Sequence, residues 1–146
     1  IERLPGLLGT RESRRIVGNY ILTGEDVVAG RKFEDGIARC CFFVDLHDSP
    51  PGISVPFPMS YKRETMPPPG DWYEIPYRCL TPVGVPGLLV AGRCISCDRS
   101  AQGSMRLQPT CMFIGEAAGI GAALAVRDDA RPGDVDGRRV RTEIGM

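Results

Sequence analysis

The sequence predicts a mixed α/β fold, and two neighbouring segments carry that prediction. Residues 87–91, Gly-Leu-Leu-Val-Ala, form an apolar run without polar alternation, which is typical of a strand buried on both faces of a sheet. A polar loop follows at 93–108, and Pro109 then opens a helix expected to run to about Val126. The order strand, loop, helix is the repeating unit of α/β sheets.

The predicted helix carries a stripe of small residues. Each interior glycine costs a helix about 1 kcal/mol relative to alanine, so close packing must compensate for it. Spacings of three and four put the small residues on one side, at Gly115, Ala118, Gly119, Ala122 and Ala123. Either a sheet or a flat ligand can pack against such a stripe. Pairs of membrane helices use similar spacing, but the segment is shorter than the roughly 20 residues needed to span and contains Glu116, so no membrane partner is expected.

The start of this helix is predicted to bind an anionic or polarised group. A helix N-terminus presents free N–H groups and about half a positive charge, which here fall at Thr110. In an α/β sheet, ligands bind beyond the carboxyl ends of strands, and Gly92 and Arg93 directly follow the apolar run. Together these positions indicate a cofactor site, without indicating which cofactor.

The composition excludes several classes of protein. The chain has 146 residues, a formal net charge of zero and 42% hydrophobic residues. These values indicate about one domain that can bury a core, and they argue against nonspecific nucleic-acid binding. The sequence opens at Ile1 without a signal segment, so we expect this chain to be a piece of a longer, cytoplasmic protein.

The six cysteines are interpreted as reduced thiols, because a chain of this size does not need a disulfide framework. Cys94 and Cys97 have the spacing of a redox pair or of half a zinc site. A zinc site needs a second pair at suitable spacing, which the other cysteines do not provide. No metal site is predicted, and a thiol-redox or zinc module on this pair is kept as a third hypothesis.

The first 80 residues are predicted to form strands around one short helix. Residues 16–23 are rich in β-branched and aromatic side chains and predict a first strand. Thr23 is suited to cap a short helix, since two acidic residues follow in its first turn. A loosely helical apolar pattern continues over 27–38, broken by Gly30 and Gly36. Residues 41–46 predict a second strand.

The remaining segments set the predicted domain boundaries. Prolines are dense in 49–70, which is interpreted as an excursion or lid within a partial substrate domain at 1–80. An extended aromatic stretch at 71–80 leads into the strand-loop-helix unit of 81–127. Residues 128–146 form a charged tail with one short element.

Four side chains are candidates for substrate orientation or proton transfer. Arg15 belongs to a charged cluster, which either faces an anionic substrate or is a solvated rim. His47 is the single histidine, and it acts either as a general acid or base or as a partner of the backbone. Tyr77 and Arg78 precede the apolar run, where they either face a ligand or close the core.

Several motifs in order resemble one known family. They are the segments 11–18, 20–23, 45–48, 73–80, 88–96, 103–106, 109–112 and 115–119. Together they resemble the C-terminal portion of bacterial FAD-dependent oxidoreductases of the glutathione-reductase-like flavoprotein superfamily, over roughly residues 9–126. The N-terminal Gly-x-Gly-x-x-Gly unit of that family, which holds the ADP half of FAD, is absent from the chain.

The resemblance implies part of an FAD-binding Rossmann-like domain joined to part of a β-rich substrate domain. It implies contacts to the ribityl and pyrophosphate region of FAD at Ala91, Gly92 and Arg93. The residues it implies near the isoalloxazine are Ser104, Met105, Arg106, Pro109, Thr110 and Cys111. The implied partners are a small-molecule substrate and the remainder of the same polypeptide, and the existence of a homo-oligomer is left open.

Two functional hypotheses from different classes follow. In the first, the chain is the C-terminal fragment of an FAD-dependent oxidoreductase, supplies flavin-side contacts for hydride transfer to or from a small substrate, and is inactive alone. In the second, it is a noncatalytic, truncated or degenerate module of the same fold that acts in assembly. The missing dinucleotide motif favours the second, whereas the retained motifs around Gly92 and Thr110 favour the first, which we adopt.

Overall fold

The structure is a computed structural model that describes residues 12–46 and 65–146. The elements in these ranges are α1 (Gly24–Val28), β1 (Gly36–Cys40), β2 (Tyr73–Pro76), α2 (Arg99–Met105), α3 (Gln108–Arg127) and α4 (Gly137–Ile144). Short 3-10 turns lie at Tyr77–Cys79, Gly92–Cys94 and Pro132–Asp134. The mixed fold class is therefore confirmed. His47 and the predicted excursion up to residue 64 lie outside the described residues.

β1 and β2 form a two-stranded antiparallel sheet, in which Ala38 pairs with Ile75. All four residues of β2 are buried, because α1 packs against β2 while α3 and α4 pack against β1. One core of buried side chains extends through these elements, from Leu22 to Val140. The sheet is thus the layer on which the helices that carry the candidate site are mounted.

A capping box starts the first helix. Thr23 Oγ1 accepts the Asp26 N–H over 3.2 Å, and Asp26 Oδ2 accepts the Thr23 N–H over 3.0 Å, which confirms the predicted cap. α1 ends at Val28, and Gly30 follows with a φ of +61°. Because this left-handed turn redirects the chain toward β1, the predicted helical pattern over 27–38 is wrong.

The two strands predicted before residue 47 are also wrong. Residues 16–23 run extended, but Gly18 and Leu22 pair with distant residues only through isolated bridges. Residues 41–46 follow β1 and form no strand. β-branched and aromatic content indicates extended chain, whereas a strand also needs a neighbour along its length, and distant parts of the sequence supply that neighbour.

The apolar run at 87–91 begins in a turn at Gly87 and is not a strand within the residues that the structure describes. Within the run, the Val90 N–H donates a hydrogen bond to the Leu80 carbonyl, with 2.9 Å between N and O. Leu88 remains 47% exposed. The prediction of a strand buried on both faces is therefore wrong here, because no described strand lies beside the run.

α3 confirms the predicted helix and presents its small-residue stripe to solvent. The buried face, at spacings of three and four, consists of Thr110, Ile114, Ala117, Gly121, Leu124 and Ala125. Gly115 and Gly119 lie on the exposed side, with open space within 4 Å of where a Cβ would be. The stripe therefore packs against no sheet among the described residues.

The length of α3 allows a test of whether this helix could span a membrane. With 20 residues, it is long and apolar enough to cross one by length and composition, so the shorter length expected from sequence is wrong. One such helix is weak evidence for a membrane protein. Its buried face packs against β1 and α4, as that of a core helix does.

The charged tail contains α4, which is an integral part of the fold. Asp136 caps the helix by accepting the Arg138 N–H over 3.0 Å, and Gly145 ends it with a φ of +83°. Arg141 reaches from α4 to the sheet, where Nη1 and Nη2 donate to the two carboxylate oxygens of Glu74 at 2.9 and 3.1 Å. The predicted short element is confirmed, and it closes over β1.

Candidate functional site

A cavity of about 370 Å³ lies where the turn Gly92–Cys94 meets the start of α3. Its lining consists of Arg93, Gln108, Cys111 and Met112. The structure thereby brings together the residues after the apolar run and the first turns of the helix, two segments predicted to hold a cofactor. The volume lies at the lower end of the roughly 300–1,000 Å³ usual for small-molecule sites. We call this space the α3 cavity.

The turn beside this cavity has bare backbone at Gly92, which precedes the lining residue Arg93 and is not itself part of the lining. Ala91 is extended, and Gly92 then adopts a φ of +81°, a left-handed conformation in which other side chains are strained. Nothing lies within 4 Å of where a Gly92 Cβ would be. The Cys94 thiol donates to the Ala91 carbonyl over 3.4 Å and closes the turn. A ligand can therefore approach the backbone closely at Gly92, beside the exposed Arg93.

The other wall is the N-terminus of α3, which no side chain caps. Leu107 occupies the N-cap position, and Pro109 lies in the first turn. The uncapped N–H groups and the helix dipole give this end a partial positive charge, next to the Arg93 guanidinium. Burial raises the pKa of the Cys111 thiol, against smaller opposing effects of Arg93, so the thiol stays neutral. The cavity therefore suits a negatively charged or strongly polarised atom.

Three residues that the resemblance implies near the isoalloxazine have buried side chains outside the cavity lining. Ser104 Oγ donates to the Phe42 carbonyl over 2.5 Å. Met105 is fully buried. Arg106 Nη2 donates to the backbone carbonyl of Asp45 at 2.9 Å and to its carboxylate at 3.2 Å. These side chains attach α2 to the segment that follows β1.

Pro109 and Thr110 also contribute little side-chain surface to the cavity. Pro109 is exposed but is not part of the lining. Thr110 is 4% exposed, and its hydroxyl donates to the Cys40 thiol over 3.6 Å. The first turn of α3 faces the cavity through Gln108 and Cys111 instead.

Arg15 is connected to the cavity from behind the turn. Its Nη1 donates to Gln102 Oε1 at 3.1 Å, and Gln102 Nε2 donates to the Arg93 carbonyl at 3.2 Å. Sequence reasoning missed Gln102, because α2 lies inside the predicted loop at 93–108. A local signal was present, since Asp98 is a preferred N-cap residue and caps α2 with its carboxylate.

Tyr77 and Arg78 line a second cavity, of about 460 Å³. Arg78 donates to both carboxylate oxygens of Asp35 at 2.9 and 3.1 Å, and these bonds raise the pKa of its guanidinium. The Tyr77 hydroxyl donates to the Pro132 carbonyl over 2.9 Å, and burial raises its pKa to about 12. Both side chains therefore make hydrogen bonds within the protein, Arg78 to Asp35 and Tyr77 to Pro132.

The two cavities lie at different levels of α3. Tyr77 packs against Gly121, whereas Cys111 lines the α3 cavity. These two helix positions are separated by about 15 Å along the axis. The structure therefore does not bring Tyr77 and Arg78 to the cofactor-side cavity, and His47 lies outside the described residues.

Cys94 and Cys97 have different environments. Cys94 is exposed, whereas Cys97 is 6% exposed, and burial raises the pKa of its thiol to about 12. Both are free thiols, and a thiol with so high a pKa is a poor nucleophile at neutral pH. Within residues 12–46 and 65–146, no group of three or more His, Cys, Asp or Glu side chains is arranged to hold a metal ion.

A glycine turn beside an uncapped helix start suits an anionic group, and a comparison with known families gives the cofactor of the family to which the chain belongs. A family model described as FAD dependent oxidoreductase matches residues 1–144. The chain therefore belongs to the FAD dependent oxidoreductase family, and its cofactor is FAD. No curated protein and no solved structure matches the chain.

The α3 cavity fits part of an FAD molecule. The Arg93 guanidinium and the free N–H groups of α3 are donors for a phosphate or for an electron-rich ring edge. The open space in front of Gly92 admits a close approach of the backbone, and Met112 adds an exposed apolar surface. The volume of about 370 Å³ accommodates one portion of the cofactor and not the whole.

Proposed function

We propose that this chain supplies the flavin-facing surface of an FAD-dependent oxidoreductase that transfers hydride to or from a small substrate. The observation that carries the proposal is the α3 cavity, in which the Gly92 turn and the uncapped start of α3 meet. When bound, FAD supplies the hydride chemistry, and the protein supplies binding, orientation and electrostatics.

The residues of the cavity have separate proposed roles. Gly92 lets the backbone approach the cofactor, because a side chain there would fill the open space. Arg93 and the N–H groups at the start of α3 stabilise negative charge on the cofactor. Cys111 and Met112 line the cavity with polarisable, neutral side chains.

The proposal includes the remainder of the same polypeptide as a partner of the run 87–91. Val90 bonds to Leu80 on one edge, so the N–H groups of Leu89 and Ala91 point to the other edge, since successive N–H groups of an extended chain alternate. The run is apolar on both faces, which supports its place as an inner strand of a parallel, Rossmann-like sheet of the glutathione-reductase-like type. A small molecule is the proposed substrate, and the six free thiols support a reducing, cytoplasmic location.

Substitution of Gly92 tests the proposed function. We expect Gly92→Val in the full-length protein to reduce the FAD bound per polypeptide at least tenfold, as measured by visible absorption after acid release. Gly70→Val is the matched control, because Gly70 has a φ of +78° and equally open surroundings, but is not adjacent to a lining residue of the α3 cavity, as Gly92 is to Arg93. Equal flavin contents in the two variants would contradict the proposed site. A wild-type protein that takes up no added FAD would favour the noncatalytic assembly module.

A further inference from the structure

We infer that Gln102 is a positioning residue that holds the turn Gly92–Cys94 in the conformation that faces the α3 cavity. This role rests on the proposed function, because the turn is the part of the site where the backbone approaches FAD. Gln102 is not part of the cavity lining. It acts through the backbone carbonyl of Arg93.

The two partners of Gln102 fix the orientation of its amide. A guanidinium has only donors, so the amide oxygen must face Arg15, at 3.1 Å from Nη1. A carbonyl only accepts, so the amide nitrogen must face Arg93, at 3.2 Å from its oxygen. A glutamate at this position makes the first bond but cannot make the second. The side-chain length and the amide chemistry of glutamine are therefore both used.

The helix that carries Gln102 is itself fixed. One carboxylate oxygen of Asp98 accepts the Ala101 N–H at 2.7 Å, and the other accepts the Gly24 N–H at 2.9 Å. The Asp98 N–H donates to the Leu22 carbonyl at 2.8 Å. α2 is thus attached to α1 and to the N-terminal segment, and Gln102 extends from this support with 1% of its surface exposed.

The turn needs such a support because of Gly92. Glycine adopts positive and negative φ about equally readily, so Gly92 does not hold its own conformation. Bonds to the next two carbonyls hold it: Gln102 donates to that of Arg93, and the Ile16 N–H donates to that of Cys94 over 3.0 Å. Of these two bonds, that of Gln102 depends on a side chain, so substitution can remove it; the thiol bond from Cys94 to the Ala91 carbonyl stays intact in such a variant.

Hydrogen exchange and flavin affinity measured on Gln102→Glu test this role in the full-length protein. We expect amide exchange at residues 92–95 to be several-fold faster in the flavin-free variant, because the tie to Arg93 is lost. We also expect the Kd for FAD to rise about threefold to tenfold, the range for one hydrogen bond, and the visible absorption maxima of bound FAD to shift. Gln102→Met removes both bonds at similar volume, and serves in place of Gln102→Glu if the latter does not fold.

The matched control is Asn19→Asp. It makes the same amide-to-acid change in the second cavity, where Asn19 Nδ2 donates to Thr81 Oγ1 over 2.9 Å, and it should alter neither measurement. Unchanged exchange at 92–95 in the Gln102 variant would overturn the positioning role. Faster exchange with an unchanged Kd would support the tie between Gln102 and the turn, but would overturn the part of the inference that links this tie to FAD binding. The exchange measurement needs no flavin, so it decides whether Gln102 holds the turn even if Gly92→Val shows that the proposed function is wrong.

Discussion

At the scale of single residues, Glu74 shows how the fold keeps a charge in its interior. Its side chain is 2% exposed and accepts two bonds from Arg141 and one, at 3.0 Å, from the Phe33 N–H. Burial raises the pKa of Glu74, but the bonds from Arg141 and Phe33 outweigh burial, and the net pKa lies below its ordinary value of 4.5. The carboxylate is therefore ionised in the folded protein, and it ties α4 to β2.

The ion pair predicts a pH dependence of stability. Because the folded-state pKa of Glu74 is lowered, its contribution is fully present above pH 4.5 and is lost as the pH falls through the folded-state value. Glu74→Gln should lower the free energy of unfolding by roughly 3 kcal/mol at pH 7, since Arg141 is left with an unpaired, mostly buried charge.

Urea unfolding from pH 3 to pH 8 measures this effect, and the difference from wild type should shrink below pH 4.5. Glu116→Gln, at an exposed position of α3, is the control and should change stability little. A constant difference between Glu74→Gln and wild type at all pH values would contradict the assigned cause.

The thiols predict a sharp division in reactivity. Cys41 and Cys94 are exposed, whereas Cys79 and Cys97 are buried, and burial raises the pKa of both buried thiols, that of Cys97 to about 12. A maleimide at pH 7 should therefore modify Cys94 rapidly and Cys97 only after unfolding, as mass spectrometry of peptides would show. Rapid modification of Cys97 in the native protein would revive the redox-pair hypothesis.

At the scale of elements, local signals predicted helices better than strands. α3 was predictable because helix periodicity and a proline in the first turn lie within one stretch of chain. The strands were not, because pairing depends on distant residues: the N-terminal predictions missed β1 at Gly36–Cys40, which follows a glycine-directed turn. α2 was missed because its seven residues include Gly103 and lack an apolar stripe. The N-cap residue Asp98 was the one local signal in the sequence that a helix begins there.

The two sides of α3 predict opposite effects of the same substitution. Gly119→Ala should stabilise the protein by up to about 1 kcal/mol, because the position is open and alanine favours helix. Gly121→Ala should destabilise by roughly 1–3 kcal/mol, because its Cβ would lie 2.8 Å from Cε2 of the buried Tyr77 ring. Thermal unfolding of the two variants measures this difference. Equal shifts would show that the exposed side of α3 is covered in the full-length protein or that Tyr77 moves freely.

At the scale of the whole molecule, the sequence located half of the candidate site. Gly92, Arg93 and the first turn of α3 were identified because glycine, arginine and a helix start carry chemistry that is independent of tertiary context. The side chains of Ser104 and Arg106 were placed near the flavin by resemblance, whereas their burial depends on packing between α2 and the segment after β1. Tyr77 could not be placed from sequence either, since its distance from the site is set by the course of α3.

The separation of the two cavities predicts that their arginines act independently. Arg93→Met should raise the Kd for FAD about 10- to 100-fold, because a charge-assisted bond to the cofactor is lost. Arg78→Met should leave this Kd unchanged, since Arg78 lines the second cavity and binds Asp35 there. Fluorescence titration of flavin compares the two. A comparable loss in Arg78→Met would place both cavities in one site.

The outward side of α3 governs how the chain behaves in concentrated solution. Val126 is 84% exposed, Met112 74% and Phe113 49%, and exposed apolar side chains promote self-association. Electrostatic repulsion between molecules is weakest where the net charge vanishes, which for this composition is near pH 6.8. The chain should therefore be least soluble close to neutrality and should remain dispersed several pH units to either side, which light scattering across a pH series would record.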